Sequence, residues 1–392
     1  MLLYIIYKKF KKSKNIGIFI FNFLGGKLFA MYISELILKN YRNYVSETFE
    51  FSPGINIISG ANAQGKTNAT EAIFYLCTGY SPRVTREKQV INHKAESALI
   101  KATAKSLVLG DLSTAIEFSS SGKKITVNGM PASKTGELIG NINAVMFDPQ
   151  QLKLVQESPE DRRRFLDIAL SQMNRKYFYA LSQYKKILTQ RNNLLKNPER
   201  EIIFETLPVW DEQLATVALT VITARNEFIK QLKPLCEKAH FAITNEKEQL
   251  EISYEYKFLG SDDDIKGQLK QLLYERMEKD VELGYTTVGP HRDDIKIKIN
   301  GLDARIYGSQ GQQRTAALSL KIGELNLFNN RFGEYPLLIL DDAMSELDTT
   351  RRKCLLSMLE GVQTIITCTD AEKLNFDGGK TFKIESGAIV RD

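Results

Sequence analysis

Ile55-Asn-Ile-Ile-Ser-Gly-Ala-Asn-Ala-Gln-Gly-Lys-Thr67 begins as a short apolar run and breaks at Gly60 into Gly-x-x-x-x-Gly-Lys-Thr. The run predicts a buried strand, and Asn68 to Cys77 predicts a helix after the loop. Strand, glycine loop and helix in that order are the context a phosphate-binding loop needs. Gly60 and Gly65 let the backbone N–H groups of Ala61, Asn62, Ala63 and Gln64 curl around phosphate oxygens, at the positive end of the following helix. Lys66 is placed to reach the outer phosphates, and the Thr67 hydroxyl to sit on Mg²⁺. The plainer alternative is a glycine turn that only caps a helix.

A phosphate loop needs a second strand that ends in a carboxylate. Leu337-Leu-Ile-Leu-Asp341 supplies an apolar run closing in Asp341-Asp342. Asp341 is the candidate for the metal side, and Asp342 the candidate to polarise the water attacking the γ-phosphate. Two exposed acids at a strand end are the bland alternative. Upstream, Ser309-Gln-Gly-Gln-Gln313 opens another helix: Ser309 stands at the N-cap position, and Gly311 lets the backbone approach an anion. Alone, that segment is only a helix cap. Its place before the Asp-Asp strand makes it more.

The remaining chain is ordinary in composition and irregular in organisation. It has 392 residues, 43% hydrophobic and 26% charged, which describes a soluble globular protein of one large domain with an insertion, or two domains. The net charge of +6 permits contact with nucleic acid or anionic membranes without requiring it. Cys77, Cys236, Cys354 and Cys368 form no C-x-x-C pair, so the expectation is a reducing cytoplasm with neither structural zinc nor disulfides. Residues 1–30 hold a basic cluster, Lys8 to Lys14, then an apolar stretch, Ile16 to Leu24, too short to span a bilayer. They are expected to lie outside the fold, with Met31 the sensible start.

Short strands are predicted over 98–128, with a hairpin signal at Asn128-Gly129. Residues 159 to about 245 are helical in pattern. Leu181, Tyr184, Leu188, Arg191 and Leu195 mark one long face, and Leu214, Val221, Phe228 and Leu232 a second. Two helices of about 24–30 residues would each span about 36–45 Å and pair antiparallel as a short arm. His93 and His240 are expected to have surface or packing roles. His291 lies in the chemistry-dense segment Gly289-Pro-His-Arg-Asp-Asp294.

Gly60–Thr67, Ser309–Gln313, Leu337–Asp342 and Ser345–Asp348 follow the order of the ABC class of ATPase heads, which the chain resembles. More narrowly, Lys39-Asn-Tyr-Arg-Asn-Tyr44, Arg162-Arg-Arg-Phe-Leu-Asp167, Gly289–Asp294, Gly308-Ser-Gln-Gly-Gln-Gln-Arg314 and Asp341-Asp342-x-x-Ser-Glu-Leu-Asp348 resemble the bacterial RecF family. The resemblance runs from Met31 to the C-terminus. It implies an α/β fold: an ABC-type ATPase head with a mixed sheet and an inserted helical lobe. The implied division is an extension at 1–30, a first ATPase part at 31–154 with the phosphate loop, a helical arm at 155–245, and a second ATPase part at 246–392. It also implies ATP and Mg²⁺ as cofactors, with Ser309 and Gly311 contacting ATP held by a second copy and Asp348 at the dimer seam. Either Gln150 or Gln151 would sense the metal and the water. Where many ABC heads place a histidine near the γ-phosphate, this chain has Cys368-Thr369-Asp370. That departure suggests slow hydrolysis used as a switch.

The family further implies a cytoplasmic protein of recombinational repair, replication restart and the SOS response. It would bind duplex and gapped DNA without sequence preference, as an ATP-dependent homodimer, with RecR, RecO and the recombinase RecA as partners and no membrane role. Candidates for DNA contact are Arg83, Arg86, Lys88, Lys123, Lys124 and Arg162–Arg164, each of which also suits a solvated face. Arg163 or Arg164 is alternatively a brace for the arm, and Gly289–Asp294 an internal polar network. No base-reading motif is present, so backbone contacts are expected. Two rivals come from other classes: the nucleotide-binding subunit of an ABC transporter, and a chromosome-structure ATPase, for whose long arms the insert is too short.

Overall fold

The computed structural model describes residues 31–391, apart from 82, 85, 150–153, 157, 259 and 371–378, and only the backbone at 346, 349, 350 and 353. The basic-apolar extension at 1–30, Gln150 and Gln151 therefore lie outside the described residues. The chain divides into two compact units, the first drawn from 1–76, 81–131 and 328–392, the second from 77–80 and 132–327.

The first unit carries two sheets. One is antiparallel, in the order β2-β1-β4-β5-β6-β7: β1 Tyr32–Tyr41, β2 Tyr44–Glu50, β4 Ala98–Ser106, β5 Gly110–Ser119, β6 Gly122–Val127 and β7 Met130–Ala132. Its strands alternate, as in β4, where Ala98, Ile100, Ala102 and Ala104 point inward, so one face is apolar. Asn128 (φ 49°) and Gly129 (φ 79°) make the predicted tight turn between β6 and β7, where both central residues need positive φ. The second sheet places β3 Ile55–Ser59 between β14 Lys380–Glu385 and β13 Thr364–Cys368, with β12 Leu337–Asp341 beyond β13 and β15 Ala388–Ile389 outside β14. Strands β14, β3, β13 and β12 are parallel. Buried on both faces, β3 and β12 are near-continuous apolar runs, which is why they were legible as strands.

An aromatic cluster closes the space between the sheets. Phe382 of β14 lies 5.3 Å edge-on from both Phe49 of β2 and Phe51. The buried Gln363 amide adds a polar bridge: Ile33 N donates to its Oε1 (2.8 Å), and its Nε2 donates to Ile33 O (2.8 Å) and Ser52 O (2.7 Å). Helix α1, Lys66–Thr78, follows β3, and its Ala69, Ala72, Ile73, Phe74 and Leu76 are all buried.

The second unit is built on helices α2 Pro159–Met173, α3 Arg175–Leu194 and α4 Arg200–Ile243. Arg191 bonds Asp211, and Tyr177 bonds Arg225, so α3 and α4 run antiparallel, as expected. Their lengths differ from expectation. α3 has 20 residues, whereas α4 has 44 and spans about 66 Å, continuing through Pro208 and Pro234. A proline normally marks a helix boundary, so the sequence hid this extent. The unit is also wider than the expected arm at 155–245. It includes strands β8 Ala144–Phe147, β9 Leu250–Glu255, β10 Asp294–Ile299 and β11 Leu302–Asp303, helix α5 Asp262–Glu275, and helix α6 Gln310–Phe332 as far as Leu327. Helix α7, Thr349–Ser357, belongs to the first unit. Among the described residues no helix is long and apolar enough to cross a membrane.

Candidate functional site

Parallel register decides which side chains meet at the end of the second sheet. Thr367 of β13 stands opposite both Ile58 of β3 and Asp341 of β12, and Cys368 opposite Ser59. The phosphate loop, Cys368 and the Asp341-Asp342 pair thus share the carboxyl edge of the parallel strands, where open α/β sheets bind ligands. The Cys368 thiol, raised by burial, feels the charges of Lys66, Asp342 and Asp370, which places all four groups within electrostatic reach.

The loop itself is tightly specified. Gly60 has φ 149°, and a β-carbon there would lie 2.4 Å from Ile384 O. At Gly65, φ 121°, it would lie 2.7 Å from the Asn43 amide. Ala63 is left-handed at φ 64°, a conformation that costs a residue with a β-carbon roughly 1–2 kcal/mol. Ala61, Asn62 and Ala63 are exposed, Gln64 and Thr67 half-buried. Lys66 is buried, and its Nζ donates to Gly60 O (2.8 Å) and Ala61 O (3.0 Å), so the ammonium is held inside the loop by carbonyl dipoles. A cavity of about 710 Å³ opens beside Gly60, Ala61 and Gln64, bounded by Thr369, Asp370 and Lys383, within the size range of small-molecule sites.

Asp341 is buried and accepts from Thr367 Oγ1 (2.8 Å), while Thr367 Oγ1 accepts from Asp342 N (2.9 Å). This hydroxyl fixes both acids. Asp342 is half-buried in a left-handed conformation, φ 53°, where the strand turns away. A hydroxyl at Thr67 and a carboxylate at Asp341 are the oxygen donors Mg²⁺ takes. No group of three or more His, Cys, Asp and Glu able to hold a metal occurs among the described residues. The set therefore fits an ion shared with phosphates rather than a cage of protein ligands.

Sequence reasoning missed the loop's support. The segment Lys39–Tyr44, which is the end of β1, the turn Arg42-Asn43 and the first residue of β2, braces it. Asn43 Nδ2 donates to Gln64 O (2.7 Å), Asn68 Nδ2 donates to Asn43 Oδ1 (2.8 Å), and Tyr44 OH donates to Gly65 O (3.0 Å). Arg42 forks onto the buried Glu71 of α1 (2.7 and 3.0 Å), which also accepts from Ser81 Oγ. From the other side, Ser386 N and Gly387 N donate to Gln64. The available signal was the pair Tyr41 and Tyr44 bracketing the polar Arg42-Asn43, more aromatic surface than a solvated turn needs.

Ser309 and Gly311 lie in the second unit and the phosphate loop in the first. Ser309 caps α6 reciprocally: Gln312 N donates to its Oγ (3.2 Å), and its own N donates to Gln312 Oε1 (2.9 Å). Gln313 Nε2 donates to Ala304 O (2.9 Å), which anchors the turn. Ser309 remains exposed, as do Ile306 and Tyr307 just before it, at 69% and 68%. Asp348 caps α7, accepting from Arg351 N (2.9 Å).

The basic candidates separate. Arg83, Arg86, Lys88 and Lys124 are exposed. Lys123 is committed to Glu87 at 2.6 Å and to the Tyr75 ring. Arg162, expected among surface cations, is buried and forks onto Asp294, with both bonds 2.7 Å. Arg163 Nη1 donates to Asp293 O (2.8 Å). Gly289–Asp294 is an internal polar network. His291 donates from Nε2 to Thr286 O (3.0 Å) and accepts at Nδ1 from Tyr184 OH (2.6 Å), and burial lowers its pKa to about 4, so the ring is neutral. Asp293 accepts from Tyr254 OH (2.5 Å), and burial raises its pKa to about 6. His240 is buried against Ser319 and Glu248, while His93 is exposed.

A glycine-cradled lysine and a strand-end acid pair on parallel strands, with a serine-capped helix in a second unit, define a phosphate-loop ATPase head of the ABC type. The family model described as RecF/RecN/SMC N terminal domain matches residues 32–386. DNA replication and repair protein RecF of Alkaliphilus oremlandii is 47% identical over 365 residues, 92% of this chain and 98% of the relative. Its counterpart in Clostridium perfringens is 41% identical over 362 residues, 92% and 99% of the two chains. The solved recombination mediator protein RecF-ATPrS in the RecFOR pathway superposes with a TM-score of 0.86 at 37% identity, over 93% of this chain and 99% of its own. An Smc head domain from Pyrococcus furiosus, 14% identical with a TM-score of 0.53, shares the fold alone. The chain belongs to the RecF family.

Proposed function

We propose that this protein is an ATP-dependent DNA-binding switch of recombinational repair and replication restart. ATP joins two copies, the dimer closes on duplex DNA at single-strand gaps, and hydrolysis reopens it. The observation that carries this reading is the division of labour. A complete phosphate cradle sits in one unit, and an exposed capped serine, flanked by exposed Ile306 and Tyr307, sits in the other. Apolar side chains left bare beside such a serine suit a surface that a second copy covers.

Gly60 to Gly65 would wrap the phosphates, with Lys66 on the outer ones. Thr67 and Asp341 would hold Mg²⁺, which supplies charge neutralisation at the phosphates. Asp342 would polarise the attacking water, Ser309 and Gly311 would contact the partner's ATP, and Asp348 would line the seam. Cys368 in place of a histidine supports slow turnover. Arg83, Arg86, Lys88 and Lys124 are the exposed cations that suit phosphodiester contact. The kinship with RecF proteins supports work in the cytoplasm beside RecR and RecO, loading RecA, with a part in SOS induction. It also favours this reading over a transporter subunit or a chromosome-structure ATPase.

Binding to fluorescent gapped, duplex and single-stranded DNA, with and without ATP·Mg²⁺, across a salt series tests the proposal. Tighter, salt-sensitive binding to gapped duplex with ATP is expected. Binding indifferent to ATP contradicts the switch.

A further inference from the structure

Two segments that the ATPase chemistry leaves unused, Arg162–Asp167 and Gly289–Asp294, converge on one cavity of about 770 Å³ within the second unit. Helix α2 brings Arg163 and Arg164, α3 brings Phe178 and Lys185, and the loop before β10 brings Arg292. Three carboxylates, Glu160, Asp161 and Asp167, face the same space. Asp161 accepts from Ser158 N (3.2 Å) and Oγ (2.8 Å) at the start of α2. Asp167 is held by the buried Arg225 (2.7 Å), by Tyr177 OH (2.5 Å) and, at 3.6 Å, by Lys185. Five cations, Arg163, Arg164, Lys185, Arg225 and Arg292, thus line the cavity against Glu160, Asp161 and Asp167. An excess of positive charge in a concave, partly apolar space favours an anion.

The wall narrows the class of anion. Phe178 lines the cavity beside Leu181, and Lys185, 64% exposed, stands one helical turn from that apolar wall. A duplex, whose major groove alone is about 12 Å wide, is too large to enter. A strongly acidic peptide would set a run of carboxylates against Glu160 and Asp161. A single nucleotide brings one charge and one flat apolar face, the pairing that non-specific single-strand binders use. We propose that this cavity binds an unstacked nucleotide of single-stranded DNA, its phosphate met by Arg164, Lys185 and Arg292 and its base laid against Phe178. The inference rests on the DNA-binding reading above and adds to it a site for the unpaired strand at a gap.

The test compares Lys185→Glu and Phe178→Ala with the wild-type chain, using short fluorescent oligo-dT, continuous duplex and gapped duplex, all with ATP·Mg²⁺. Lys185→Glu is expected to weaken oligo-dT binding and to flatten its log–log salt slope by about 0.7, one lost phosphate contact. Phe178→Ala is expected to lose about fivefold or more with the slope unchanged, the signature of a lost stacking face. Both variants should bind continuous duplex as the wild type does and lose the preference for gapped DNA. Unchanged oligo-dT affinity in both variants, with duplex binding intact, overturns the inference and leaves the switch standing. Displacement of oligo-dT by poly-glutamate at lower concentration than by unlabelled oligo-dT overturns it in favour of an acidic peptide. Failure of the wild type to bind any DNA with ATP sinks the inference and the switch together.

Discussion

Lys66 and Arg191 are both buried cations, and they are held in opposite ways. Arg191, fully buried on α3, donates to Asp211 (2.6 Å), Asp280 (2.8 Å) and the Thr286 hydroxyl (2.9 Å). Lys66 has two carbonyl oxygens and pairs with no carboxylate among the described residues. A buried charge needs compensation. Where fixed acids supply it, the cation is architecture, locking α3, α4 and the segment after α5 together. Where only dipoles supply it, the cation has room for an anion as a further partner, which is the role proposed for Lys66.

Breaking each cation should therefore have different consequences. Arg191→Met strands Asp211 and Asp280 in the interior and is expected to cost about 3–5 kcal/mol in urea unfolding. A cost near zero would mean that the acids take up protons freely and that the triad is not structural. Lys66→Ala should change unfolding free energy by no more than about 1 kcal/mol, since it strands no charge and frees only two carbonyls. It should nonetheless abolish ATP-induced dimerisation, and a dimer of unchanged mass with ATP would remove Lys66 from the site. Asn43→Ala leaves the lysine but loosens its loop. About fivefold weaker ATP binding is expected, the worth of one hydrogen bond of about 1 kcal/mol, and an unchanged affinity would show that Tyr44 and Ser386 suffice.

The smallest effect concerns pH. Asp293 is raised from 3.8 to about 6, so its contribution to stability is present below its unfolded value and lost as pH rises through about 6. His291 is lowered from 6.5 to about 4, so its contribution is present above its unfolded value and lost as pH falls through about 4. Between these limits the two slopes oppose each other. Asp293→Asn should make stability rise with pH across that window, and His291→Gln should make it fall, both read from urea midpoints. Parallel slopes in the two variants would contradict the assignment.

The same contrast explains what the sequence made legible. β3 and β12 are apolar runs ending in glycine and in aspartate, so chemistry and fold were written in adjacent residues. Ser309 with Gln312 was likewise a local cap. The braces were not local. Asn43 reaches Gln64 across 21 residues, and Arg162 reaches Asp294 across 132, so a run of three arginines looked the same whether it faced water or a buried carboxylate. Arg191 stood on a helix face defined by leucines, which placed it inward without naming its partners. The length of α4 was hidden by Pro208, and Gln150 and Gln151 lie outside the described residues.

The proposed switch turns on Ser309 acting on the ATP of a second copy. Sedimentation of the wild type and of Ser309→Arg, each with and without ATP·Mg²⁺ and with ATP affinity measured alongside, tests it most directly. An ATP-dependent doubling of the 44.5 kDa mass is expected in the wild type. Ser309→Arg is expected to remain a monomer that still binds ATP with nearly wild-type affinity. ATP affinity that collapses in Ser309→Arg as it does in Lys66→Ala would place the serine at its own chain's nucleotide and contradict the account.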